Sequence, residues 1–327
     1  MMGSEQSANI LAHNVQIKTK ITQLCSEQDN AYTGNGVNPH TGETYCYGII
    51  LDGHGADKIV DQINDILKNN IDVILNSETP HLEIQSRLEA INHTQIESTE
   101  EDDTVFYRKQ RNCTEQQKCS GGSTFLFTKI YENRVEVFSV GDSEAYIMIN
   151  NEIVYHNPVH KWSNKSEQDR LLRRNDIDIN VIFRSIPHII SPERIGFAKN
   201  ACVEYIHQNS NKLVTKLSPT QCLGHNSITQ FAPEKMTIPF EPTDSVKIVL
   251  ASDGLWDVFA PDHPDDKTRL IDMDGEQLAD LAESRWKQEW EVAVDYFNPD
   301  VLYEEKSHYS ASGYDDVAVI TMVRNPL

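Results

Sequence analysis

The segment Gly48 to Gly55, reading GIILDGHG, constrains this chain more than any other: an apolar run halts at an aspartate set in a glycine-flanked turn. Tyr47 to Leu51 is short, partly β-branched and apolar on both faces, the pattern of a strand buried on both sides. Gly53 and Gly55 let the backbone turn sharply and let a carbonyl approach an ion closely. The pattern returns at Val246 to Asp253, VKIVLASDG, and in inverted form where Gly313-Tyr314-Asp315-Asp316 precedes Val317-Ala318-Val319-Ile320. Carboxylates so far apart in sequence meet only if the fold gathers them, and a hard, oxygen-seeking cation is the physical reason to do so.

Charge and composition narrow the partners. A net charge of -21 over 327 residues makes nucleic acid an unexpected partner, and most of the excess reads as a solvated acidic surface. No transmembrane segment is expected, and the start MMGSEQSANI has neither a basic nor an apolar leader region, so a cytoplasmic or nuclear location is expected. N-myristoylation at Gly3 fits the local pattern only if Gly3 becomes the first residue. The six cysteines (Cys25, Cys46, Cys113, Cys119, Cys202 and Cys222) show no zinc-ligand pattern and read as reduced thiols.

Periodicity predicts strands at Val15 to Leu24 and Thr44 to Leu51. A helix follows the DGHG turn, its buried face carrying Ile59, Val60, Ile63, Ile66 and Leu67. A second helix starts with Thr79 as N-cap and Pro80 at its first position, with Ile84, Leu88 and Ile91 inside. Glu97 to Cys119 reads as a loop. Strands follow at Thr124 to Ile130, Arg134 to Val140, Glu144 to Ile149 and Ile153 to His156, the last two joined by an Asn150-Asn151 turn. From His160 to Lys216 the pattern is irregular and carries ten basic against six acidic side chains, a net of +4. This island is either a surface chosen for solubility or a flap that attracts an anion. A last helix is predicted from Gly275 to Phe297, with Leu278, Ala282, Trp286, Trp290 and Val294 in one row. The economical organisation is a polar leader at 1–14 and a single domain at 15–327, with a flap-like insert at about 160–216.

DGHG alone is a weak signal; the ordered set is strong. Glu27-Gln28-Asp29, Asp52-Gly53-His54-Gly55, Gly121-Gly122-Ser123-Thr124, Val140-Gly141-Asp142-Ser143, Ser252-Asp253-Gly254-Leu255-Trp256-Asp257 and Gly313-Tyr314-Asp315-Asp316 follow in turn. This order and spacing resembles the metal-dependent serine/threonine protein phosphatases of type 2C, from about Val15 to Val323. The resemblance implies an α+β fold: a four-layer α-β-β-α sandwich, two central antiparallel sheets flanked by helices, holding two Mg2+ or Mn2+ ions and in some members a third. It implies that Asp52 bridges both ions, that the Gly53 carbonyl binds one, and that Asp253 and Asp315 bind the other. Asp29 would hold ion-bound water, Asp142 and Asp257 would join Asp253 at the third ion, and His54 would be the general acid. The implied function is hydrolysis of phosphoserine and phosphothreonine in a phosphorylated protein substrate by a metal-activated water, with a monomer expected.

That chemistry is self-consistent, because two cations supply a nucleophile at neutral pH and clamp the phosphoryl oxygens, while an imidazole protonates the leaving serine. Other readings stay open: His54 as a turn residue capping the next helix, Asp142 and Asp257 as turn caps, Gly121 to Thr124 as close packing. His156 and His160 read as loop residues. The chain also departs from the resemblance. Gln28 stands where a glutamate is usual, Leu24 where a phosphate-binding arginine is usual, and Glu144 replaces another arginine. Lys18 and Lys20 lie nearby but do not reproduce a two-pronged guanidinium. Either the basic island around Arg173 and Arg174 replaces the missing arginine, or the chain is a pseudophosphatase that binds a partner.

Overall fold

A computed structural model describes residues 14–55, 57–98, 121–208, 212–295, 298–302 and 306–326. Gly3 and most of the loop predicted at 97–119 lie outside the described residues.

The chain opens with β1 (Val15–Thr22), which joins one sheet, and with β2 (Asn30–Val37) and β3 (Thr44–Leu51), which pair in the other. Two short strands, β4 (Gly53–Gly55) and β5 (Gly121–Ser123), flank the helices α1 (Asp57–Leu75) and α2 (Pro80–Ser98). The meander β6 (Phe125–Ile130), β7 (Arg134–Val140), β8 (Glu144–Ile149) and β9 (Glu152–His156) follows, then α3 (Lys165–Leu172), β10 (Asp178–Ser191), β11 (Arg194–His207), β12 (Lys212–Leu217), β13 (Leu223–Gly224) and β14 (Glu234–Pro239). The chain closes with β15 (Val246–Ala251), α4 (Asp253–Trp256), α5 (Pro264–Asp272), α6 (Gly275–Lys287), β16 (Glu291–Asp295), β17 (Asn298–Leu302) and β18 (Val317–Arg324). Two five-stranded antiparallel sheets result, ordered β1-β18-β15-β8-β9 and β14-β7-β6-β3-β2.

Three apolar clusters mark the three interfaces between four layers, so the α+β sandwich stands as read. Cys46, Ile50, Leu126, Ile147, Leu250 and Ile320 fill the space between the sheets. Tyr47, Ile49 and Leu51 turn to the opposite face and meet Ile59, Ile63 and Leu67 of α1, the stripe predicted from spacing. Met148, Val249 and Val319 meet Leu278, Ala282 and Trp286 of α6. Alternation along β3 therefore serves two cores, which is why its sequence is apolar throughout. Asn150 and Asn151 both take positive φ, 52° and 67°, as a type I′ turn requires.

Three expectations need correction. The helix predicted to Phe297 stops at Lys287, because Gln288 is extended and the chain turns into β16. Trp290 keeps its place in the core from a bridge to Ser307, with its indole N–H donating to the Arg285 carbonyl at 3.1 Å. The region read as irregular from His160 to Lys216 contains α3 and the 14-residue strands β10 and β11, with a core of its own around Leu171, Val203, Tyr205 and Leu217. The strand predicted to reach Leu24 ends at Thr22. Among the described residues no helix is long and apolar enough to cross a membrane.

Candidate metal centre

The glycine-rich motifs hold the strand ends together. The Asp52 N–H donates to Thr124 Oγ1 at 3.0 Å, and the Thr124 N–H donates back to the Asp52 carbonyl at 2.9 Å. Thr124 Oγ1 lies 2.7 Å from Ser143 Oγ, which ties the Asp52 turn to the Asp142 turn across the two sheets. Gly141 takes a φ of 111°, and a Cβ there would lie 2.6 Å from Thr124 Cγ2, so only glycine lets the turns touch. Gly254 is equally constrained, since a Cβ would fall 1.9 Å from the Asp316 carbonyl oxygen. Asp253 opens α4 immediately after Ser252, its N-cap residue.

Five carboxylates converge at this edge. Ligand oxygens of Asp52, Asp142 and Asp253 all lie within 4.8 Å of one another, and so do those of Asp253, Asp257 and Asp315. Asp253 belongs to both groups. Asp29 stands outside both and accepts a 2.6 Å hydrogen bond from Ser252 Oγ. Burial, then the charge of Asp253, pushes Asp52 well above the usual carboxylate range. The same two causes raise Asp315 to about 9 and Asp257 to about 7. Burial raises Asp29 to about 8 and Asp142 to about 6. A cluster that resists ionisation in this way holds too little positive charge to balance its carboxylates, and its donors are all oxygen, so the residues fit hard divalent cations such as Mg2+ or Mn2+.

One lysine intrudes on the cluster. Lys161 Nζ lies 3.3 Å from Asp142 Oδ2 and 3.9 Å from Asp253 Oδ2. Burial works against its charge, but Asp142, Asp253, Asp257 and Glu144 hold its pKa well above the ordinary value. A third ion beside Asp142 and Asp253 would therefore meet an ammonium already in contact with both. Sequence reasoning passed over Lys161 as one basic residue among ten. The adjoining His160 is buried, with Nδ1 3.0 Å from the Gly141 backbone nitrogen, so it pins the GDS turn.

Asp316 was also missed. Its carboxylate accepts from the N–H groups of Leu24, Cys25 and Gln28 at 2.7, 2.8 and 3.1 Å and from Ser26 Oγ at 2.7 Å. Burial opposes its charge, yet these donors hold the Asp316 pKa below the ordinary value. The Leu24 side chain packs against the core beside α6, and Gly53 meets Gln28 so closely that a Cβ would lie 2.8 Å from the Gln28 carbonyl oxygen.

A cavity of about 530 Å³ opens over the carboxylates, lined by Asp52, Gly53, His54, Asp142, Asp253 and Asp315, with Lys216 and His225 at its wall. Arg173 and Arg174, expected to replace the missing arginine, line a different cavity. Arg174 pairs with Asp176, and Arg170 is held by Glu167 and the carbonyls of Thr220 and Thr229. Lys18 and Lys20 pair with Glu276 and Asp280 of α6. Glu144 meets His156 Nε2 at 2.5 Å.

His54 projects from β4, two residues after Asp52. Burial lowers it to about 4. Its Nδ1 lies 3.2 Å from His225 Nε2, while its Nε2 is buried and makes no hydrogen bond among the described residues.

The family model described as Protein phosphatase 2C matches residues 45–288. A search of the curated proteins returns no match. Among solved structures, a C. elegans sex determining protein is 16% identical with a TM-score of 0.47, covering 96% of this chain; this chain spans 65% of that one. The Mycobacterium tuberculosis serine/threonine phosphatase PstP/Ppp is 12% identical, covering 95% of this chain and 99% of its own at a TM-score of 0.47. The catalytic domain of PstP in complex with two manganese ions is 13% identical, with the same coverages and TM-score.

Proposed function

Because the chain belongs to the protein phosphatase 2C family, we propose that it removes phosphate from phosphoserine and phosphothreonine in proteins, using divalent cations held by Asp52, Asp253, Asp315 and the Gly53 carbonyl. The observation that carries this reading is the set of five mutually repelling carboxylates gathered under an open cavity. A chain serving only as a scaffold has no physical need to keep them. When bound, the cations acidify water and neutralise phosphoryl charge.

The remaining tasks fall to the chain. Asp29, which accepts from Ser252 Oγ, stands behind the cluster, where it would hold ion-bound water. Leu24 packs against the core, so the substrate phosphate is met instead by Lys216 on the cavity wall, whose Nζ also lies 3.8 Å from Glu204 Oε1. It is a point charge without the planar fork of arginine, so weaker substrate binding is expected. His54 reaches the substrate as a neutral imidazole at pH 7. With His225 Nε2–H donating to Nδ1, the His54 proton sits on Nε2, a buried atom without a partner among the described residues, so the side chain must turn toward the cavity to serve the leaving oxygen.

The second reading, a pseudophosphatase that binds a partner, draws on the packing of the partly buried Leu24 against the core where a phosphate clamp is usual. One assay separates the two: phosphate release from a phosphothreonine peptide with Mn2+, with chelator, and by Asp253→Ala. Metal-dependent release lost in the variant supports the enzyme. No release by protein that calorimetry shows to bind Mn2+ leaves the binding module.

A further inference from the structure

Next to the oxygen donors lies a second donor set of different chemistry. His54, Cys222 and His225 each offer a ligand atom, and these atoms all lie within 4.8 Å of one another. The two imidazole nitrogens that face each other, His54 Nδ1 and His225 Nε2, are 3.2 Å apart. A tetrahedral zinc ion with two nitrogens at about 2.0–2.1 Å separates them by roughly 3.3 Å. We propose that His54, Cys222 and His225 form a binding site for a borderline-soft transition metal, Zn2+, distinct from the carboxylate centre.

The backbone is shaped for this arrangement. Leu223 and Gly224 pair with Ser123 and Gly122, and the Gly224 N–H donates to Gln85 Oε1 at 2.9 Å. Thr229 Oγ1 donates to the Cys222 carbonyl at 3.1 Å. Cys222 and His225 are thus fixed at both ends of a Cys-x-x-His run. Gly224 takes a φ of 82° and His225 a φ of 46°, so two successive residues of positive φ turn the chain between the Cys222 and His225 side chains. Gly122 leaves the room: a Cβ there would lie 2.2 Å from the Leu223 carbonyl oxygen and 2.6 Å from His225 Cδ2. The sequence shows no zinc pattern because the third donor, His54, is 171 residues from His225 along the chain.

Donor chemistry separates the two sites. Carboxylate oxygens favour Mg2+ and Mn2+, whereas imidazole and thiolate favour Zn2+. Three protein ligands leave a fourth position, and His54 and His225 both face the 530 Å³ cavity, which supplies entry and a water ligand. Occupancy engages His54. If His54 serves phosphate release as proposed above, Zn2+ at this site inhibits that reaction; this consequence, unlike the binding itself, rests on the phosphatase reading.

The test uses the full chain saturated with Mg2+, so that oxygen sites are filled, and titrated with Co2+ as a spectroscopic stand-in for zinc. One equivalent giving a near-ultraviolet thiolate-to-cobalt charge-transfer band, displaced by Zn2+ and lost in Cys222→Ser, is the expected result. His225→Gln provides a second variant should the serine form not fold, with cobalt affinity expected to fall at least about tenfold. Absence of the band in the unmodified protein overturns the proposal, as does a band of full intensity in Cys222→Ser. Because the readout is spectral, protein without phosphatase activity that shows the band still carries the site.

Discussion

Replacing Lys161 by methionine removes an ammonium from a nest of carboxylates while keeping most of the side-chain volume. Lys161 stands 3.3 Å from Asp142, whose carboxyl is raised to about 6 by burial and held back from rising further by the lysine. A carboxyl whose folded pKa exceeds its unfolded value destabilises the fold above the unfolded pKa, increasingly until the pH reaches the folded pKa. Without the ammonium that restraint is lost and the folded pKa of Asp142 rises further. In chelator at pH 7 the added cost is then at most about one pKa unit, or about 1.4 kcal/mol, because beyond that the group simply retains its proton. Each further pH unit adds about the same until the new pKa is reached. At roughly 2–4 °C per kcal/mol, the melting temperature should fall by up to about 3–5 °C at pH 7 and by more at pH 8. Mn2+ should close the gap by providing the charge the lysine gave, and metal analysis should show an additional ion per chain. Thermal unfolding with and without chelator at both pH values measures this. A variant as stable as the parent in chelator, or a gap that narrows as pH rises, refutes the reasoning.

Asp316→Asn should remove a component of acid stability: a carboxyl held below its ordinary pKa stabilises the fold above the unfolded value, near pH 4, and loses that contribution as pH falls through the folded value. Acid titration followed by circular dichroism should show a shallower transition below pH 4 in the variant. Asp266→Ala should cost about 3–5 kcal/mol in chemical denaturation, because it strands the buried Arg285, which Asp266 holds through contacts of 2.6 and 2.8 Å. Lys216→Ala should raise KM for a phosphopeptide, whereas Arg173→Ala should leave it unchanged, since only Lys216 lines the cavity over the carboxylates; steady-state kinetics decides. Gly122→Ala should disturb His225 and abolish the cobalt band described above.

The fold was legible where one period ruled one element. The α1 stripe and the strands β3 and β6–β8 follow directly from spacing, because each faces a continuous apolar layer. β2 was not read as a strand, since its sequence NAYTGNGV is rich in glycine; the reason is tertiary, as Gly34 and Gly36 lie under the rings of Tyr47 and Tyr45, leaving no room for a Cβ. The four-residue row of Leu278, Ala282, Trp286 and Trp290 is a true core row, yet it runs out of a helix to an isolated bridge residue, and periodicity cannot register that change. At the site, Asp52, Asp253 and Asp315 announce themselves as carboxylates beside glycines at strand ends. Lys161, Asp316 and His225 carry no such mark, because their partners are distant in sequence and each is ordinary in its own neighbourhood.

The strand β18 lies between β1 and β15 and is preceded directly by Asp315 and by Asp316, which closes on residues 24–28 some 290 positions earlier. During synthesis, then, a chain that has made everything up to residue 310 still lacks the middle of one sheet, one carboxylate of the cluster and the anchor of the loop beside it. No partly made chain has a partly working centre. Capture of the cations proposed above therefore waits on β18, and a nascent chain stalled before it is expected to remain open to chaperones and proteases while one that has passed it is not.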